Sequence, residues 1–588
     1  MYCFFLLKVI YRLCVVACLS IGLSQIAFAM GDPKSMNTDY DQSHAINKVQ
    51  KARERALKLA NGGDAGLVEA IAVDQEQLEF LKRRGIEELA YGNDSLVDRE
   101  LDLHRDLAGF YARLHNKERA LDELERMEMR ADVPLIARYV RSAPEFAFLR
   151  SEPRFLAFLA RLESPTVVWH GTAFATGYKA NLTVEERVAG LSDFWARVRS
   201  GFVHFDNVPN LDWNQKYLEF LGRVVKSEST IEYYDTLMQF APLLRDGHTN
   251  IYPPKELFSH FYTSPPIRTD LIEGKVIVTA VLDKSLKAKI RKGDEILAID
   301  GKEVHQYANE RVLPYVSSST PQDADVRLYS YQLLHGDAKQ PVSLTIRTPG
   351  GSSSELLLPR DGYLPSDGLR LATFETKRLA HNIIYLSLDE FEDDEGVKEF
   401  EKILPDIMRS DGLILDLRQN GGGNTKFGYD ILSYLTDQPM PLEYSTYRID
   451  DGYMQHIAGD EGFFYKRPVN LEKAEHYSRK EHFSGKVAVL IGPKTFSAAE
   501  DFLVSFDTLK RGIMVGAASG GSTGQPIFIS LPGGGTARIC VKDDRYPDGR
   551  KFVGVGIKPQ VEVSETVADY RVGKDAVIET AVERLSQD

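Results

Sequence analysis

Val487-Ala488-Val489-Leu490-Ile491 runs directly into Gly492-Pro493-Lys494-Thr495-Phe496-Ser497-Ala498-Ala499-Glu500-Asp501-Phe502. Five consecutive apolar residues, three of them β-branched, read as a strand buried on both faces. The Gly-Pro pair ends that strand, and Ser497 opens an Ala- and Glu-containing helix. A serine just past a strand, at a helix N-terminus, stands where an activated nucleophile would. Unpaired N–H groups at that position face any negative charge that develops. The plainer reading is a helix N-cap, and the Gly-x-Ser-x-Gly of a nucleophile elbow is absent.

Two more apolar runs, Asn382-Ile383-Ile384-Tyr385-Leu386-Ser387-Leu388 and Leu413-Ile414-Leu415-Asp416-Leu417, alternate with helical stretches. They predict an α/β core over 363–588 whose sheet is at least partly parallel. The second run opens into Arg418-Gln419-Asn420-Gly421-Gly422-Gly423-Asn424. Consecutive glycines let backbone N–H groups approach a ligand closely. A nucleotide loop would carry Lys-Ser/Thr there, and this one does not. A pair of such strand ends is what an oxyanion hole needs.

Upstream, Lys292-Gly293-Asp294-Glu295-Ile296-Leu297-Ala298-Ile299-Asp300-Gly301-Lys302-Glu303-Val304 gives a turn, a buried strand, a tight Asp-Gly turn and a restarted strand. It resembles the central segment of PDZ domains, which implies a β-rich PDZ-like insert over 263–362. Such domains bind chain ends by adding a strand to a sheet edge. The apolar glycine loop that cradles a carboxylate in many of them is not evident before Lys275.

Before the insert the pattern is helical. Thr183-x-x-Glu186 reads as a capping box ahead of a helix carrying Val188, Leu191, Phe194 and Trp195, within a helical subdomain over 166–262. That subdomain holds Asp246-Gly247-His248-Thr249. Over 46–165, Leu121, Leu124, Met127 and Met129 are spaced for a helix face, as are Phe155, Phe158, Leu159 and Leu162. Pro134, Pro144 and Pro153 punctuate short helices. Residues 143–155 resemble the closing segment of tetratricopeptide-like modules, although a 34-residue register is not clean. A helical cap is the other reading.

The chain has 588 residues, and 43% hydrophobic with 27% charged residues describes a globular, multidomain protein. Lys8 and Arg12 precede an apolar run from Leu13 to Ala29 that ends Ala27-Phe28-Ala29, a cleavable export signal over 1–29, with an uncleaved anchor as the alternative. Residues 30–45 read as a flexible polar leader. Cleavage removes two positive charges and no negative ones, taking the net charge from −13 to −15. That balance argues against nucleic acid as a partner. Cleavage also removes Cys3, Cys14 and Cys18, leaving Cys540 alone. An internal disulfide is then impossible, and the count reads as excluding a Cys-ligated zinc site and a Cys–Cys redox centre.

Asp416-Leu417-Arg418-x-Asn420-x-Gly422-Gly423 and Thr495-x-Ser497-Ala498-Ala499-Glu500 together resemble the tail-specific (C-terminal-processing) protease and tricorn-core superfamily of serine peptidases. Gly554-Val555-Gly556-Ile557-Lys558-Pro559 matches as well, and the resemblance runs from about Thr166 to Val563. It implies a crotonase-like α/β catalytic domain, polypeptide substrates recognised at their C-terminal ends, and no metal or cofactor. The export signal, the single remaining cysteine and the −15 charge separately mark a soluble protein of a periplasmic or extracellular compartment. Tail-specific members place a lysine base about 25 residues after the serine, but Gly516–Gln525 contains none. The tricorn-like branch takes a histidine in an x-His-Thr setting, which His248 matches. By the resemblance, Ser497 is the nucleophile, His248 the general base, and Gly422 or Gly423 with Ala498 the oxyanion donors. Gly247 replaces the branch's positioning serine and Val553 its late glutamate. Asp548, Asp544 and Asp246 are the candidate acids for orienting His248. The competing expectation is a peptide-binding scaffold that has lost catalysis.

Overall fold

The protein is described by a computed structural model covering residues 33–83, 94–128, 139–163, 173–360, 374–462, 464–468 and 481–587. The export signal at 1–29 lies outside these residues, as do Met129 and Pro134. The chain divides into one compact unit up to Gly171 and a second from Thr172.

The first unit is helical. Helices Pro33–Leu59, Gly63–Arg83, Asp94–Arg113 and Lys117–Glu128 are followed by the turn Pro144–Leu149 and helix Pro153–Glu163. The flexible leader expected over 30–45 is, from Pro33 on, the beginning of the first helix, with proline at a position where its missing N–H is not needed. Leu121, Leu124 and Met127 are buried with Phe155, Phe158 and Leu162 in one core, as their spacing requires. Arg154 binds Asp122 and Glu125 across the pair of helices.

The second unit opens with helix Val184–Gly201, whose N-terminus carries the complete Thr183/Glu186 capping box. Leu191 and Phe194 turn inward with Phe240 and Trp213. Six strands then form an antiparallel sheet in the order Ile267–Ile272, Lys275–Val281, Glu295–Ile299, Val342–Arg347 and Ser353–Leu358, with the short Lys302–Glu303 paired to Glu295–Ile299. Asp300 and Gly301 both have positive φ (48° and 76°), the conformation of the tight hairpin turn expected there.

The central sheet runs Val561–Glu562, Ile513–Gly516, Lys486–Ile491, Gly412–Asp416, Ile383–Ser387 and Thr376–Leu379. All neighbours are parallel except the last pair. Alternation along each strand explains why these runs are apolar throughout. Leu413, Leu415, Val487, Val489 and Ile491 face the core built around Phe502 and Phe506 of helix Ala498–Thr508. Ile414, Ala488 and Leu490 face the opposite layer, against Val577, Ala581 and Leu585 of helix Ala576–Ser586. The fold is thus mixed α/β and multidomain.

Candidate active site

Parallel neighbours end side by side, so the loops after Gly412–Asp416, Lys486–Ile491 and Ile513–Gly516 gather at one edge of the sheet. They carry the Gly421–Gly423 turn, Ser497 and Ser522. Thr495 ties the first two together: its Oγ1 donates to the Leu417 carbonyl (2.8 Å) and accepts from Gly492 N–H. Asn420, fully buried, accepts the Phe496 N–H on its carbonyl and donates from its side chain to Leu388. Arg418 closes the motif from behind by bridging Asp416 and Asp575.

Ser497 has φ 57° and ψ −126°, a backbone state that side chains other than glycine avoid. It is the N-cap residue of helix Ala498–Thr508 by position, but its side chain makes no capping hydrogen bond and is left free of that helix. The strained turn directs Oγ away from its own helix, and the residue remains half-exposed.

Histidine arrives by a different route. The hairpin Pro526–Leu531/Gly535–Cys540 follows the Ser522 loop, and Asn250–Tyr252 adds to it as an antiparallel third strand. That pairing sets His248 beside the serine. Nε2 lies 3.0 Å from Ser497 Oγ, and Nδ1 lies 2.8 Å from Ser522 Oγ. The imidazole stacks on Phe496, 4.9 Å between centroids at 9°, and Arg327 lies over that same ring. Burial, reinforced by the positive charge of Arg538, Arg327 and His204, holds the His248 pKa well below the usual 6.5.

None of the three candidate acids reaches His248. Asp548 is exposed and pairs with Arg550. Asp544 is buried against Lys542 and Ser445. Asp246 accepts from Thr249 Oγ1 at 2.6 Å. The nitrogen they were expected to orient is met instead by the hydroxyl of Ser522, which is fully buried. Ser522 stands 25 residues after Ser497 in the lysine-free loop, and that spacing is the one signal that marks it. Gly247 also finds its reason. A Cβ there would lie 2.9 Å from both the Asp323 carboxylate and the Phe496 ring, so a serine does not fit before His248.

Glu500 shapes the Ser522 loop from inside the protein. It accepts from Ser519 Oγ (2.6 Å), Gly521 N–H (2.8 Å) and Ser522 N–H (2.8 Å). Burial pushes its pKa up to about 8 against the pull of those donors. Ser519 also holds Ile557 of the Gly-Val-Gly-Ile segment. The Ser522 carbonyl accepts from Ser497 N–H at 3.0 Å, so the loop grips both ends of the Ser497–His248 pair.

The glycines divide their work differently from expectation. Gly422 N–H donates to Asn420 Oδ1 (2.9 Å) and is therefore already engaged. Gly422 serves close approach instead: at φ 98°, a Cβ on it would sit 2.6 Å from Ser497 Cβ. Among the described residues, Ala498 N–H and Gly423 N–H have no backbone acceptor.

Residues 382–563 match the family model "Peptidase family S41", and residues 271–332 match "Bacteroidetes, Peptidase, S41 family, N-terminal domain". The chain carries an S41 peptidase domain. That domain makes it a serine-type peptidase. The chain is 21% identical over 417 residues to carboxyl-terminal-processing peptidase 3 of Arabidopsis thaliana chloroplasts, covering 68% of this chain and 72% of that one. It is 22% identical over 412 residues to the carboxy-terminal-processing protease of Bartonella bacilliformis, covering 67% and 79%. Among solved structures, mature CPAF complexed with lactacystin superposes with a TM-score of 0.54 at 18% identity, covering 69% of this chain and 99% of that chain, a likeness of fold.

Proposed function

We propose that this protein hydrolyses peptide bonds through an acyl-enzyme on Ser497, with His248 as the general base. The observation that carries the proposal is the 3.0 Å contact between Ser497 Oγ and a buried, uncharged imidazole whose other nitrogen is held by Ser522. For Nε2 to accept the serine proton, Nδ1 must carry its own and donate it to Ser522 Oγ. Ser497 Oγ attacks the carbonyl carbon while Nε2 takes its proton. The same imidazolium then returns that proton to the departing amine. Ala498 and Gly423 N–H groups receive the negative charge on the carbonyl oxygen. Water repeats the sequence to free the acid.

Substrates are polypeptides, presented at a C-terminal end. The antiparallel domain over 263–362 acts in a PDZ-like manner, extending its sheet with the substrate strand. An apolar cavity of about 300 Å³ begins two residues beyond His248 and is lined by Met238, Ile251, Tyr252, Tyr262, Tyr315 and His335. It suits a large apolar substrate side chain. The helical region over 46–165 is read as a cap or tetratricopeptide-like module. The protein is exported after loss of residues 1–29; among the described residues no helix is long and apolar enough to cross a membrane.

The test is reaction with a fluorophosphonate and with a peptide library. Native protein should be labelled at Ser497 and cut peptides near their C-termini beside large apolar residues. Ser497→Ala and His248→Ala should lose both activities while staying folded. Undiminished turnover by Ser497→Ala would overturn the proposal.

A further inference from the structure

Behind the His248 loop, three ligand-type side chains converge with no use in the peptidase mechanism. One ligand atom from each of His204, Asp246 and Cys540 lies within 4.8 Å of the other two. The residues come from three separate segments: the turn after helix Val184–Gly201, the loop before His248, and the end of strand Gly535–Cys540. All three are buried, His204 at 3% exposure and the others at 0%.

One of the three is left open, and the other two hold only neutral partners. His204 Nε2 is buried without a hydrogen-bond partner, and its Nδ1 lies 4.0 Å from Asp543, beyond hydrogen-bond reach. Asp246 accepts from Thr249 Oγ1 at 2.6 Å and from Ser319 Oγ at 3.5 Å, both neutral hydroxyls. Cys540 Sγ has only long contacts to the carbonyls of Thr523 (3.7 Å) and Lys542 (3.5 Å). A buried imidazole nitrogen left open costs free energy, and so does a buried carboxylate without a counter-charge. One cation would relieve both.

We propose that His204 Nε2, Asp246 and Cys540 Sγ form a structural site for one divalent transition-metal ion, zinc by preference. One nitrogen, one carboxylate oxygen and one thiolate are the donors that zinc takes. This departs from the expectation that the cysteine count excludes a Cys-ligated zinc site: a single thiolate suffices when histidine and aspartate supply the other donors. Binding breaks the Cys540 S–H bond, forms a metal–sulfur bond and releases the proton to solvent, while the ion keeps its oxidation state. The site bears on the peptidase through a short path. Thr249 Oγ1 donates to Asp246 and accepts the Cys540 N–H at 3.1 Å, so an ion on Asp246 and Cys540 fastens both ends of the segment presenting His248. It is a positioning site, distinct from the reacting atoms.

Cobalt(II) tests this independently of activity. In the full chain carrying Ser497→Ala, with Cys3, Cys14 and Cys18 replaced by serine, Cys540 is the only thiol. Titration should give a thiolate-to-cobalt charge-transfer band and intense tetrahedral visible bands, saturating at one ion per chain and displaced by zinc. Zinc should also raise the Tm. Adding His204→Gln should weaken binding beyond the roughly 10–100-fold that outer-shell changes cost, and adding Cys540→Ser should abolish the charge-transfer band. Circular dichroism identifies any variant that fails to fold, and the parent titration then decides alone. Absence of the band from the folded parent chain, or its survival in Cys540→Ser, overturns the proposal; the first outcome would mean that a water fills the site.

Discussion

His248 Nδ1 and Ser522 Oγ meet at 2.8 Å in the interior, so a neutral hydroxyl holds the imidazole where a carboxylate commonly does. A carboxylate stabilises the imidazolium formed during proton transfer; a hydroxyl fixes the tautomer and ring orientation with weaker charge support. Ser522→Ala removes that acceptor while leaving Ser497 and the backbone in place. The expected result is a fall in kcat of about 10²-fold, within the range general-base catalysis contributes, with KM little changed. Steady-state kinetics check this, and an unchanged kcat would remove Ser522 from the mechanism.

The depressed pKa of His248 sets the direction of the pH dependence. Burial is the largest cause, followed by Arg538, Arg327 and His204. With His248 as the proposed base the neutral ring is the active form, so lowering the pH through 6.5 should leave kcat/KM intact and the acidic limb should appear lower. In the unfolded chain the ring titrates normally and binds more protons below 6.5. Its contribution to stability is therefore present above 6.5 and lost as pH falls toward the folded value. A limb at or above 6.5 contradicts this environment.

Gly422→Ala combines a clash with an unfavourable φ. The new Cβ would meet Ser497 Cβ at 2.6 Å and the Phe496 carbonyl at 2.8 Å. We expect destabilisation of about 1–3 kcal/mol from the strained backbone alone, together with loss of fluorophosphonate labelling. Urea denaturation and labelling measure the two effects separately.

Glu500→Gln leaves an amide facing groups that are all donors. Where the wild-type carboxyl is ionised, above about pH 8, the variant loses one of the three contacts from Ser519, Gly521 and Ser522, at about 1–3 kcal/mol. Because burial raises the carboxyl to about 8, its contribution to stability is present at low pH and lost as pH rises through that value. The wild-type Tm should decline from about pH 4.5 to about pH 8 and level off above it, and that component should vanish in the variant.

Ser497→Gly should relieve the φ 57° strain, raising the Tm while abolishing activity; Ser497→Ala should abolish activity without the stability gain. Differential scanning calorimetry of the three chains tests the ordering.

Much of this was legible in order along the chain. Apolar runs such as Leu413–Leu417 and Val487–Ile491 have no amphipathic alternation, and only a sheet covered on both faces buries them. Thr183-x-x-Glu186 specified a helix start because both capping bonds are local. Ser497 and the Gly422 turn were visible as strand ends with residue types that tolerate close approach. His248 stood out through its neighbours.

What the chain by itself determined was thus the buried strands, the capped helix and the place of Ser497 at a strand end, since these follow from contacts a few residues apart. The tertiary structure decided what surrounds His248. Ser522 lies 274 residues away, beside Ser519 and Thr523, which offer the same hydroxyl, and no local pattern separates them. The pairing of Asn250–Tyr252 with Gly535–Cys540, together with the bonds of Glu500 to the Ser522 loop, fixes which hydroxyl faces Nδ1. The same pairing leaves Asp246 turned toward Thr249 and beside Cys540, rather than against the ring. Orientation of a side chain across a sheet edge is set by register between distant strands, and register is a property of the folded chain.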